Sequence, residues 1–225
     1  MSSLKLIPVN HSNESGNLLT LSAPVGTDIT GRPGVTDGTV KAYQFGSPIS
    51  TVSIPSSKFR RARVTFTFPS TGLEWDQAGL LFLRPHRDLP KPSAANRGDE
   101  KTAPAFAKIA LENFQDSTYC SVSASNGTLP EWSLWPVPQR SSEHHKITLE
   151  IVKHGAMLIA FLVDSKKQQL FRAVPWCFDH VEKDEPNIWV GIFVSRPDLK
   201  SETKEPLSIQ FTDFEVETEN GIVRF

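Results

Sequence analysis

The sequence predicts an all-β sandwich of two antiparallel sheets, and three observations predict it. Apolar and polar residues alternate at period two through a series of short segments. Pro, Gly and Asn break those segments at close intervals, as turns between short strands do. No stretch carries the apolar spacing of an amphipathic helix, and only residues 176–183 leave room for one short turn.

The elements follow in order. The first forty residues are rich in Ser, Gly, Thr and Asn; residues 18–23 read as a short strand and Gly31-Arg32-Pro33-Gly34 as a turn. Residues 50–54 and 63–68 alternate and stop at Pro55 and Pro69, where a missing N–H cannot extend a ladder. Residues 77–83 form a longer apolar strand. Residues 84–104 hold four prolines and eight charged residues, too polar for a core and long enough to be a functional lid or a disordered loop. Strands resume at 106–114 and 118–124, with Asn126-Gly127 marking a hairpin before a Trp-rich segment. Residues 146–152 and 157–163 flank a second hairpin at His154-Gly155. Residues 168–174, 188–195 and 207–216 complete a set expected to form a single domain over 1–225.

Composition bounds what such a domain does. A chain of 225 residues, 38% hydrophobic, with 14 Phe, 5 Trp and only 2 Met, buries a substantial, specifically packed core. A formal net charge of −1 gives no field that would gather nucleic acid or an anionic membrane. The basic run Lys58-Phe59-Arg60-Arg61-Ala62-Arg63 reads as a charged strand start. No run approaches the roughly 18 apolar residues that span a bilayer. Residues 1–10 lack the apolar core of a signal peptide, and two cysteines make no disulfide framework. The sequons at Asn10, Asn13 and Asn126 are then chance matches, and the cytosol is the expected compartment.

Residues i and i+2 of a strand share a face, so Lys108, Ala110 and Glu112 point one way and Ile109 and Leu111 the other. Gln77, Gly79 and Leu81 share a face in the same manner. Small residues between polar ones suggest a face kept open for close approach. Lys108 and Glu112 then lie on an ordinary solvated face, or they line a concave site where Glu112 accepts ligand hydroxyls and Lys108 holds a negative or carbonyl oxygen. Trp75 precedes the Gln77 strand, and Trp132 and Trp135 fall on an expected sheet edge, where rings stack on a sugar-like ligand or fill core. Trp176 and Trp189 read as core, and Cys120 and Cys177 as buried small hydrophobes.

Taken in order, Trp75-Asp-Gln-Ala-Gly79-Leu-Leu, Lys108-x-x-x-Glu112, Glu131-Trp-Ser133, Val190-Gly-Ile-Phe-Val-Ser195 and Phe211-x-Asp-Phe214 resemble the "regulation of enolase" family, a group of unknown function built on a concanavalin A-like jelly roll. The likeness runs over about residues 40–217. It implies a two-sheet jelly roll with a ligand groove on one curved sheet, and it puts Trp75, Gln77, Lys108, Glu112 and Trp132 around that groove. Two departures bear on the ligand: Ala110 stands where the family has a glycine, and residues 84–104 are inserted, which points to a different or more enclosed ligand.

Catalytic signatures are missing. There is no G-x-S-x-G elbow, no paired-carboxylate strand of the glucanase type to partner Glu112, and no glycine loop suited to phosphate. His144 and His145 are adjacent and would face opposite sides of a strand, a poor metal pair; His86, His154 and His180 sit near turns. No metal and no cofactor is expected. Three functions stay open: a module binding a small polar or sugar-like ligand; a non-hydrolytic biosynthetic enzyme (cyclase, isomerase or dehydratase) in which Lys108 and Glu112 polarise a carbonyl and move a proton, with Gln77 orienting and residues 84–104 closing the site; or, as the family name implies, a regulator that contacts a metabolic enzyme through edge strands. The expected partner is a small molecule, with neither nucleic acid nor membrane.

Overall fold

The computed structural model describes residues 4–12, 17–31, 43–128, 130–137, 144–164, 167–179, 186–198 and 202–225. The turn at Arg32-Pro33-Gly34, the sequon at Asn13, His180 and the second half of 176–183 lie outside them. The described residues form strands and no helix: β1 (Ile7–Val9), β2 (Thr20–Ala23), β3 (Ile29–Gly31), β4 (Tyr43–Phe45), β5 (Ile49–Pro55), β6 (Phe59–Pro69), β7 (Gln77–Arg84), β8 (Ala105–Phe114), β9 (Ser117–Ser125), β10 (Pro130–Pro136), β11 (His144–His154), β12 (Met157–Asp164), β13 (Lys167–Val174), β14 (Asn187–Ser195), β15 (Leu207–Thr218) and β16 (Gly221–Arg224).

These strands make two large antiparallel sheets, as the alternation predicts. The first runs β1-β5-β14-β7-β8-β9-β10 and the second β13-β12-β11-β6-β15-β16, with β2 also pairing β15. Inward-facing residues of both sheets build one core, in which Leu80, Phe82, Ile109, Leu111 and Val190 of the first sheet join Phe66, Phe68, Leu149 and Phe211 of the second. Cys120 and Cys177 are buried there, and burial pushes the Cys120 thiol up to about 12.

Turn chemistry sets the registers. His154 pairs with Met157 around Gly155, whose φ of 60° suits a two-residue hairpin. Gln115 and Asp116, at φ 47° and 58°, turn β8 into β9 with Phe114 opposite Ser117, a hairpin without the usual Asn-Gly signal. In β15 the register shifts between Thr212 and Glu215, with Asp213 at φ 53°. That irregularity accompanies the burial of Phe214 against the Phe225 ring, 5.4 Å away. The Phe211-x-Asp-Phe214 motif thus has a structural reason.

The basic run behaves as a charged strand. Arg61 in β6 reaches Glu150 at 2.8 Å, Glu215 at 2.7 Å and Glu217 at 2.8 Å. Residues 175–178 form a turn, with Phe178 N–H donating to Ala156 O at 2.9 Å.

Above the face of the first sheet that points away from the second, β3 and β4 pair as a small separate sheet. Ile29 and Phe45 pack from it onto Leu81, Phe106, Phe193 and Trp189. Residues 84–104 fold back as turns, with bridges between His86 and Leu89 and between Ser93 and Asn96. Leu89 is buried, and the loop docks on the N-terminal segment through Ala94 N–H to Asn10 Oδ1 at 2.8 Å.

Candidate functional site

β7 and β8 pair with Gln77 opposite Glu112 and Gly79 opposite Ala110, and β8 pairs with β9 so that Ala110 faces Ser121 and Lys108 faces Ser123. Ser123 in turn faces Trp132 of β10. Period-two alternation therefore brings Gln77, Lys108, Glu112 and Trp132 to one face of the first sheet, the face that carries the β3–β4 hairpin.

That face is not open where Lys108 and Gly79 lie. Lys108 is 1% exposed; its Nζ meets Asp28 Oδ1, just before β3, at 2.6 Å and lies 5.9 Å from the Phe193 ring centroid. The solvated-face reading is corrected: the hairpin covers this lysine, and a buried ammonium requires the carboxylate it has. The reason for Gly79 is corrected too. A Cβ there would come within 2.1 Å of Ile109 O and 2.7 Å of Ala110 Cα, so the glycine answers to the neighbouring strand's backbone rather than to a ligand.

Glu112 is fully buried and Gln77 is 5% exposed. Trp132 Nε1 donates to Glu112 Oε2 at 3.2 Å, and the Ser121 side chain hydrogen-bonds the same carboxyl. Burial raises the Glu112 pKa above the ordinary carboxylate range, against the lowering pull of Ser121, Lys108 and Trp132; nearby Asp28 adds to the rise. Glu112 Oε1 and Gln77 Oε1 are both buried without a hydrogen-bond partner. Two orphan acceptors on paired strands mark an incompletely satisfied polar site, because a buried oxygen left unpaired costs free energy.

Aromatic rings stand beside it. Trp75 and Trp132 have centroids 5.4 Å apart, and Phe114 lies 4.7 Å from Trp75 and 5.2 Å from Trp132. Trp132 remains 45% exposed. Trp75 holds φ at 71°, an uncommon conformation for a bulky residue, with its N–H on Asn113 O at 2.7 Å. Just below, Arg196 donates twice to the buried Asp76 carboxylate, at 3.0 and 2.7 Å, which fixes the entry of β7.

The five residues singled out in the sequence lie near one another, with Gln77 and Glu112 buried side by side, Trp132 and Trp75 beside them, and Lys108 under the hairpin. Asp28 and Ser121 belong to the same network without having been anticipated. Nothing local marks Asp28, which arrives from a segment 80 residues before Lys108; Ser121 comes in through a register opposite Ala110 set by a turn without a sequence signal. A recess of about 560 Å³ lined by Ile147, Leu162, Lys167 and Gln168 lies on the second sheet and contains none of these residues. Among the described residues no cluster of three His, Cys, Asp or Glu side chains could hold a metal ion.

No protein-family model matches the chain. It is 31% identical over 179 residues to the uncharacterized protein AN7484 of Emericella nidulans, with 79% of this chain and 76% of that one covered. Among solved structures, a functionally unknown protein from Saccharomyces cerevisiae shares the fold with a TM-score of 0.65 at 17% identity, over 95% of this chain and 96% of that one. A xylan β-1,4-xylosidase from Bacillus halodurans aligns with a TM-score of 0.50 at 12% identity, covering 83% of this chain but 31% of the xylosidase. At these identities the two structures share a fold with this chain, the concanavalin A-like jelly roll.

Proposed function

The chain belongs to the family of Emericella nidulans AN7484, and we propose that its site binds a small, neutral, hydroxyl-bearing, sugar-like ligand against Gln77, Glu112 and Trp132. The carrying observation is the pair of buried acceptors without partners, Glu112 Oε1 and Gln77 Oε1, on paired residues of adjacent strands. Trp132 N–H and Ser121 donate to Glu112, and Lys108 donates to Asp28. The two orphan oxygens call for donors, which adjacent hydroxyls of a sugar supply; an anion would meet acceptors instead. The exposed Trp132 ring offers an apolar surface for the ring face of such a ligand. The xylosidase likeness supports this class only at the level of a shared fold. Membership of the "regulation of enolase" group is part of the proposal and rests on the ordered motifs alone.

Glu112→Gln tests the reading. The amide oxygen keeps the Trp132 and Ser121 donors, while the NH2 turns toward Gln77 Oε1 and satisfies it internally. Titration calorimetry against glucose, xylose, galactose and mannose and their disaccharides should show roughly a 5- to 150-fold loss relative to wild type, as two hydrogen bonds at about 0.5–1.5 kcal/mol each imply. Unchanged affinity would sink the assignment.

One observation favours a second reading, a non-hydrolytic enzyme. A buried carboxyl whose pKa is raised by that burial is suited to hold and return a proton. Turnover lost in Glu112→Gln with ligand binding retained would select it over the binding module.

A further inference from the structure

Part of this face of the first sheet is covered by the chain itself, and what remains uncovered bounds the size of what binds. Across β5, β14, β7 and the middle of β8 this face is closed: Ile49, Phe193, Leu81 and Ala110 are each fully buried in a cluster capped by Ile29 and Phe45. The hairpin is tied down at several points. Thr27 bridges Arg196, Gly46 N–H donates to Asp28 O at 2.8 Å, and Asn10 Nδ2 donates to Phe45 O and Ser47 O at 2.8 and 2.9 Å. Ser47 and Ser195 hydroxyls meet at 2.6 Å. Beyond the Asp28–Lys108 ion pair the same face changes character. On β9 and β10, Tyr119, Ser123 and Leu134 are partly exposed and Trp132 is exposed.

On the reading above, we infer that the hairpin is a fixed end wall, with Asp28 and Lys108 at its foot, and that the site accepts a free small ligand or the end of a chain, not an interior stretch of a polymer. A polymer lying across the strands would have to cross the region occupied by Ile29 and Phe45. A ligand seated over β9 and β10 reaches the buried Glu112 and Gln77 oxygens only by moving the Trp132 ring off the carboxyl it bonds, and the ion pair bounds it on the hairpin side. Asp28 and Lys108 are therefore specificity-determining through position, not contact chemistry.

Two measurements test the wall. The first is a length series on the wild-type protein: xylose through xylohexaose, glucose through cellohexaose, and soluble xylan. Affinity should plateau by the disaccharide, changing less than about twofold with further length, and xylan should bind in proportion to its chain ends. A tenfold or greater rise with length, or binding along the polymer, overturns the inference while leaving the sugar reading intact. The second pins the hairpin. A Cβ at Gly31 would lie 3.6 Å from Ser125 Cβ, inside the range for a disulfide, so Gly31→Cys with Ser125→Cys should cross-link β3 to β9 on oxidation. Oxidised and reduced forms should bind the best short ligand within about twofold of each other. Binding lost on oxidation and regained on reduction would make the hairpin a moving lid and overturn the wall. Should the double variant fail to fold, the length series decides alone. No binding by any sugar at any length overturns the wall and the sugar reading together, an outcome distinct from either arm failing by itself.

Discussion

Glu112 combines full burial with a pKa pushed above the ordinary range by that burial, and this links folding to pH. An unfolded Glu titrates near about 4.3, so between that value and the raised native one the folded chain binds the extra proton. The stability it contributes is complete below the unfolded pKa and is lost as pH rises through the native one. Glu112→Gln should flatten that part of the stability–pH profile. Above the native pKa of Glu112 it should raise stability relative to wild type, while weakening ligand binding. Thermal melts from pH 5 to 8 that track the wild type in parallel would contradict this. At this scale the sequence was legible where alternation governs: Gln77, Lys108 and Glu112 were expected on one face and share it. Asp28 was not legible, because an ion pair spanning 80 residues leaves no local pattern.

Among the elements, the β3–β4 hairpin governs how Lys108 behaves. Lys108→Met leaves the part-buried Asp28 carboxylate with the Ile29 N–H but no countercharge and should cost up to about 3 kcal/mol. Adding Asp28→Asn should restore most of that, measured by urea unfolding. A Lys108→Met protein as stable as wild type would show that the pair does not anchor the hairpin. β7 and β8 constrain each other more tightly. Gly79→Ala drives a methyl into the Ile109 carbonyl and should destabilise by about 3 kcal/mol, read from the same urea curves; a neutral change would mean that the strands can separate there. The expectation that small residues keep the face free failed for a physical reason. Sequence reports that a residue is small but not which neighbour demands it. Residues 84–104 stay largely exposed, as their polarity predicts, yet Leu89 is buried and Asn10 receives the loop's Ala94 N–H.

For the molecule as a whole, sheet order is what local pattern could not supply. Strand positions followed from alternation and turns, yet β5 pairs with β14 and β2 with β15, joining distant parts of the chain. Loop closure must precede those contacts, so refolding should be slow, on the order of 1 s⁻¹ or below, and stopped-flow tryptophan fluorescence measures it. Complete refolding within a few milliseconds would indicate that a local subset of strands suffices. The burial of Trp189 and the part-burial of Trp176 against the exposure of Trp132 and Trp135 give that signal both core and rim reporters.

The rim strand itself has a consequence for life at high concentration. β10 begins at Pro130 and ends at Pro136, and neither residue offers an amide hydrogen to an approaching strand. Two indole rings can therefore stay in water at the margin of the sheet while the backbone between them makes a poor template for cross-molecular ladders. Cross-molecular pairing along this edge is thereby confined to the five residues between the two prolines.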